Sequence, residues 1–163
     1  MLVAVDTNVL IDQALEDENV IEAIALIRKK LGDVTMIVTP TVLHELAWAV
    51  DNDDDQEIRD AASRALQSLH EWGYEPLNVV PVGNGIVEQI SLKLRMKGII
   101  PEEEQNDASV VAEAALIGAQ MLLSSDQHLI EAQENDAFAQ TLKDCDVGPL
   151  TIARPSTITR MYR

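Results

Sequence analysis

Apolar positions along this chain follow two rhythms. Short unbroken runs at Leu2–Val5, Met36–Val38 and Met121–Leu123 read as strands, as does Leu150-Thr151-Ile152 near the end, and the first of them reads as buried on both faces. Between these runs apolar residues return every three or four positions, as they do on one face of a helix. Val20, Ile24, Ile27 and Leu31 form one stripe, stopped by Gly32. Pro40 and Thr41 open a helix carrying Val42, Leu46 and Ala49. Ile58, Ala62, Ala65, Leu69 and Trp72 mark the next, closed by Gly73, and Ile86, Ile90 and Leu94 mark another that ends near Gly98. Val111, Ala115, Gly118 and Leu122 follow, although Leu122 fits the strand at Met121–Leu123 equally well. Leu77–Val82 reads as a strand interrupted at Pro81, hence an edge, and Asp51–Asp55 as a solvated loop. Strands separated by helices predict a three-layer α/β/α fold around a mainly parallel sheet. No internal repeat or low-complexity linker divides the chain, so residues 1–163 are expected to form one domain.

Composition narrows the setting. Apolar residues make up 47% and aromatic residues only 3%, so the core is expected to be mostly Leu, Ile, Val and Ala. No apolar run approaches a membrane span, and the N-terminus lacks the pattern of a secretion signal. The single cysteine, Cys145, has no partner for an internal disulfide. A reducing, cytoplasmic location without membrane association is the expectation. The net charge of −16, from 28 acids against 12 bases, argues against a general nucleic-acid binder. It leaves room for an enzyme that meets nucleic acid through metal ions and a local basic patch.

Four acids stand where solvated acids do not belong. Asp6 follows the apolar run Leu2–Val5, and Asp126 follows Met121–Leu123 and two serines, so both lie just past the C-terminal ends of strands. That edge is where α/β folds place ligands. Glu45 lies on or beside the stripe of Val42, Leu46 and Ala49, and Asp107 lies four residues before Val111 on the stripe continued by Ala115. Each has a structural alternative. Asp6, Asp126 and Asp107 are good helix caps, with Asn106 the rival at the third, and Glu45 suits a boundary position with its head in water. A metal site accounts for all four together, since hard Mg²⁺ or Mn²⁺ ions prefer carboxylate oxygens. Clustered acids repel, so Asp6→Asn is expected to stabilise the metal-free fold. Zinc spacing is absent: His44-Glu45 begins like a zinc-protease helix, but position 48 is Trp48. Trp48 and Trp72 are expected in the core.

Several segments resemble the PIN domain nucleases. They are Val5-Asp6-Thr7-Asn8-Val9-Leu10, Pro40–Leu46 with Glu45, Asn106-Asp107-Ala108, and Leu123-Ser124-Ser125-Asp126-Gln127-His128-Leu129. The resemblance implies a PIN-like domain acting as a metal-dependent endoribonuclease that cleaves RNA through a metal-activated water. Asp6, Glu45, Asp107 and Asp126 would be its metal-binding and catalytic residues, with one or two Mg²⁺ or Mn²⁺ ions. Thr7, Asn8 and Ser124 would support them by hydrogen bonds. Many members are VapC-like toxins, so an antitoxin protein is an implied partner, together with RNA as substrate and a homodimeric assembly. Some members carry a further acid two residues after the fourth; His128 stands there, and no catalytic role is expected of it.

Bases are few, which makes their positions informative. Lys93, Arg95 and Lys97 cluster on the helix before Asp107, with Lys93 and Lys97 on one face. They are the candidate RNA-binding patch; the alternative is a solvated helix end where cations suit the dipole. Two other functions remain open. One is a catalytically weak PIN-like module that holds metal or RNA and acts through a partner. The other is an acid-rich phosphohydrolase, which would lack the Asp-x-Asp pair because position 8 is Asn8.

Overall fold

The computed structural model describes residues 1–163, except for the side chains of Pro81 and Val82. Five parallel strands, β1 (Leu2–Val5), β2 (Thr35–Val38), β3 (Tyr74–Pro76), β4 (Met121–Leu123) and β5 (Thr151–Ala153), form one sheet in the order β3-β2-β1-β4-β5. Val3, Ala4 and Val5 are all fully buried although consecutive side chains point to opposite faces. Both faces of the sheet are therefore covered, as in a three-layer α/β/α fold.

The helices are α1 (Thr7–Ala14), α2 (Glu18–Lys30), α3 (Pro40–Asn52), α4 (Gln56–Ser68), α5 (Pro81–Met96), α6 (Gln105–Leu116), α7 (Gln127–Glu134), α8 (Ala137–Lys143) and α9 (Pro155–Tyr162). α3 packs against α4 and α6, α5 against α6 and α8, and α2 against α9. Gly98 and Gly118 follow α5 and α6 with φ of 65° and 78°, a left-handed turn that costs glycine little. From β1 the chain moves outward to β2 and β3, then returns to add β4 and β5 on the other side. The strand order reverses between β1 and β4, and parallel sheets open a crevice at such a point.

Two sequence expectations need correction. Leu77–Val82 is not a strand: β3 is Tyr74–Pro76, at the sheet edge, and α5 starts at Pro81. The neighbouring strand β2 ends at Val38, which pairs with Pro76 and accepts one last bond from Leu77 N–H, so no partner remains for the next residues. Pro81 has the φ that suits the first turn of a helix and lacks only an N–H that the turn does not need. The acidic loop is also shorter than expected, because Asp51 and Asn52 complete α3.

Leu122 belongs to the strand and is fully buried. Leu122→Ala should cost about 2–5 kcal/mol of stability in urea unfolding, the range for a truncated core leucine. A loss below about 1 kcal/mol would mean that β4 is not central to the core.

Candidate active site at the carboxyl edge of the sheet

The site is built outward from Asp6. Its N–H donates to Leu123 C=O at 3.0 Å, which continues the β1–β4 ladder and fixes the residue at the strand end. Extended φ and ψ then let it start α1, where Oδ1 accepts from Thr7 N–H at 2.8 Å. Oδ2 accepts from the Asn8 side-chain amide at 2.7 Å and from Ser124 Oγ at 2.6 Å. Asp6 is thus both the cap of α1 and the centre of a buried polar network. Burial pushes its carboxyl above the usual range; the Asp126 charge adds to this, while the Ser124, Thr7 and Asn8 donors oppose it.

Ser124 and Asn8 tie the two strand ends together. Ser124 is fully buried, and its N–H donates to Ala153 C=O at 3.0 Å. Its Oγ accepts from Asp126 N–H at 3.0 Å, and Asn8 Oδ1 accepts from Ser125 N–H at 3.0 Å. Asp126 caps α7 through Oδ1, which accepts from His128 and Leu129 N–H at 2.7 and 3.3 Å. Capping and a place in the acidic crevice therefore coincide at Asp126 as at Asp6. His128 Nε2 lies 3.7 Å from Glu104 Oε1 at the surface.

Glu45 and Asp107 come in from helices. Glu45, half-buried on α3, accepts from Thr7 Oγ1 at 2.9 Å, and Asn106 Nδ2 approaches its other oxygen at 3.5 Å. Burial raises its carboxyl, with the Asp6 and Glu113 charges adding, against the donors Thr7 and Asn106. Asp107 is in the first turn of α6 and is not its cap, because the helix starts earlier, after Glu104. Its Oδ2 is buried with no hydrogen-bond partner. Burial pushes this carboxyl up to about 8, and the charges of Asp126, Asp6, Glu104 and Glu45 add to the shift. Asp107 thus lies within the fields of Asp6, Glu45 and Asp126, which reach it from the ends of β1 and β4 and from α3.

Glu113 was not anticipated. It is 6% exposed on α6 and accepts from Thr41 N–H at 3.1 Å and Thr41 Oγ1 at 2.8 Å. This fixes α6 to the first turn of α3, the two helices that carry Asp107 and Glu45. The available signal was an acid inside the apolar run Val110–Leu116.

The basic patch is partly engaged within the protein. Lys97 Nζ donates to Thr141 Oγ1 at 3.1 Å and lies 3.9 Å from Asp144 Oδ2, on α8 and at its C-terminal end. Arg95 donates to Glu102 C=O at 3.1 Å in the segment that leads to α6. Lys93 is exposed. Trp48 is not core: it is 56% exposed and lines an open groove of about 430 Å³ beside the acids. Its position one residue before the stripe residue Ala49 turns it out of the core. Trp72 packs partly against the core, as expected.

The donor set fits a divalent cation. It consists of hard carboxylate oxygens, and the buried Oδ2 of Asp107 lacks a partner in a crevice of like charge. Among the described residues no three acidic, imidazole or thiolate groups stand close enough to grip one ion as they are. Gathering them requires side-chain movement, and Asp107, free of hydrogen bonds at Oδ2, is the best placed to move.

These contacts set signs for stability. An unfolded aspartate ionises near pH 4, whereas native Asp107 keeps its proton to about pH 8. The unfolded state therefore binds fewer protons between those values, and the metal-free protein should lose stability as pH rises across that window. Asp107→Asn should remove much of this slope and melt several degrees higher than the wild type at pH 8 in chelator. Asp6→Asn should melt lower, contrary to the repulsion argument, because three donors converge on its carboxylate. Thermal melts of both variants across pH decide; identical slopes for wild type and Asp107→Asn would contradict the assignment.

The PIN domain family profile matches residues 3–135. No curated protein matches the sequence. Among solved structures, VapBC2 of Rickettsia felis, bound to a DNA fragment from its promoter, aligns with a TM-score of 0.62 at 15% identity, covering 94% of this chain and 98% of that one. VapBC-1 of nontypeable Haemophilus influenzae aligns at 0.62 and 16% identity, covering 96% and 99%. VapBC-5 of Mycobacterium tuberculosis aligns at 0.58 and 23% identity, covering 94% and 98%. These likenesses establish the fold, and the profile match spans most of the chain. The protein belongs to the PIN domain family.

Proposed function

We propose that this protein is a divalent-metal-dependent endoribonuclease and the toxin of a toxin–antitoxin pair. The observation that carries the reading is the partnerless buried Oδ2 of Asp107 facing the charges of Asp6, Glu45 and Asp126. Asp6, Glu45, Asp107 and Asp126 would hold Mg²⁺ or Mn²⁺. A bound ion of this kind supplies Lewis acidity and an activated water for phosphodiester hydrolysis.

The chain's own residues prepare the site. Ser124 and Asn8 hold the Asp6 carboxylate in one orientation, and Thr7 does the same for Glu45. Asn106 adds a weak contact to Glu45 from the helix that carries Asp107. Glu113 sets the spacing of α3 and α6. Neutral donors orient the acids without cancelling their charge, so their affinity for a cation is preserved.

The solved VapBC neighbours support an antitoxin as partner. Among the described residues no helix is long and apolar enough to cross a membrane. We also propose a homodimer. Leu92 and Met96, 49% and 78% exposed, lie one turn apart on α5 and offer an apolar contact. RNA would be drawn by Lys93 and, where their internal contacts yield, by Arg95 and Lys97.

The test is cleavage of single-stranded RNA in Mn²⁺ with and without chelator. Cleavage should require the ion. Asp107→Asn should cut at least about a hundredfold more slowly, the scale of one lost electrostatic contact in a transition state, while still binding RNA. RNA binding without ion-dependent cleavage by the wild type would favour the binding-module reading. Equal cleavage by wild type and Asp107→Asn would overturn the site.

A further inference from the structure

The aromatic inventory is small, and most of it is used inside the fold. Phe138 and Tyr74 are fully or almost fully buried, and Trp72 and Tyr162 pack against the core. Trp48 is the exception, with 56% of its surface exposed on α3. It forms an apolar wall of the 430 Å³ groove, together with Ile11 and Ala49. The rest of the lining is polar and includes His44, Asp53 and Asn106. The groove also contains Thr7 and Glu45, so it opens directly onto the acidic crevice. With Ile11 and Ala49 beside it, the exposed indole gives the groove an apolar surface open to a flat ligand.

We propose that Trp48 is the stacking platform for an unpaired nucleobase next to the scissile phosphate. The inference rests on the ribonuclease reading above, which places that phosphate at the acids. The nucleoside attached to the phosphate must then lie within a few ångströms of Glu45 and Thr7, where the groove begins. A base has a flat apolar face and a polar edge. The groove offers Trp48 for the face, and hydroxyl, amide, imidazole and carboxylate groups for the edge. A phosphate suits the groove itself poorly, because Asp53, which has no part in the proposed metal site, would repel it. Base-paired RNA cannot present a base face to the indole. Trp48 therefore selects single-stranded substrate and contributes to the choice of base at one position.

The chain has two tryptophans, so Trp72→Phe leaves Trp48 as the only indole reporter. With Asp107→Asn added to stop turnover, short single-stranded oligoribonucleotides in Mg²⁺ buffer should quench Trp48 fluorescence saturably, and an RNA duplex should not. In that background, with affinity read instead from the fluorescence anisotropy of a dye-labelled oligoribonucleotide, Trp48→Phe should bind RNA nearly as well, whereas Trp48→Leu, apolar but without a π face, should bind about tenfold more weakly, the scale of one lost base stack. Equal affinity of the Phe and Leu variants would overturn the proposal. So would quenching by an arginine-rich peptide but by no RNA, which would make the groove a protein-docking site. Cleavage in Mn²⁺ runs in parallel on the wild type and on Trp48→Leu alone. If both cut at the same rate and positions, the platform is wrong and the nuclease reading stands. If the wild type does not cut but single-stranded RNA still quenches Trp48, the nuclease reading falls and the base site stands.

Discussion

Carboxylates crowd the crevice between β1 and β4, and only neutral side chains and backbone amides hold them there. Asp6 is almost fully buried with three neutral donors around it. Asp107 has an oxygen with no donor at all. Most carboxylates so placed in proteins meet an arginine or lysine, because an uncompensated buried charge is costly. Here the neighbouring charges at Asp6 and Asp107 are further acids. The acids reach this arrangement from different elements, Asp6 and Asp126 as helix caps and Glu45 and Asp107 from α3 and α6.

That design shapes its surroundings. Ser124, Asn8 and Thr7 serve the site and hold the fold together at once. Ser124 joins β5 to Asp6, and Asn8 joins the start of α1 to the end of β4. Glu113 pins α3 to α6 through Thr41 and places another acid near Glu45. A crevice kept acidic in this way has a field that attracts cations and repels RNA, and the overall charge of −16 strengthens both effects. Under the proposed function the same ion would therefore serve docking and chemistry. Two of the three clustered bases before Asp107 have contacts inside the protein, which leaves little other attraction for a polyanion.

Much of this was legible in the sequence. The strand at Leu2–Val5 was visible because both of its faces are apolar, and the stripes of α2, α3 and α4 because their periodicity is unbroken. Asp6 and Asp126 stood out as charges following apolar runs. What the sequence left undecided was whether they only cap: both do cap, and the charge of Asp126 also reaches Asp6, since a strand that ends at a helix start puts the cap at the sheet edge. Leu77–Val82 misled because β-branched residues suggest a strand, while the partner strand that would pair with them stops at Val38. Trp48 misled because bulk suggests burial, whereas its angle on α3 turns it outward. Glu113 was hidden because one acid in an alanine-rich helix carries no periodic signal, and its partner Thr41 is remote in sequence.

The central claim is that the four acids would act as one cation site, and that without the ion Asp107 carries a proton near neutral pH. Calorimetric titration of Mn²⁺ at pH 7 in two buffers of different ionisation enthalpy measures the protons released per ion bound. A native Asp107 value of about 8 predicts release approaching one proton per ion, falling towards zero above about pH 9. It also predicts little release from Asp107→Asn. Binding of Mn²⁺ by the wild type at pH 7 without proton release, or with the same release from Asp107→Asn, would contradict the account.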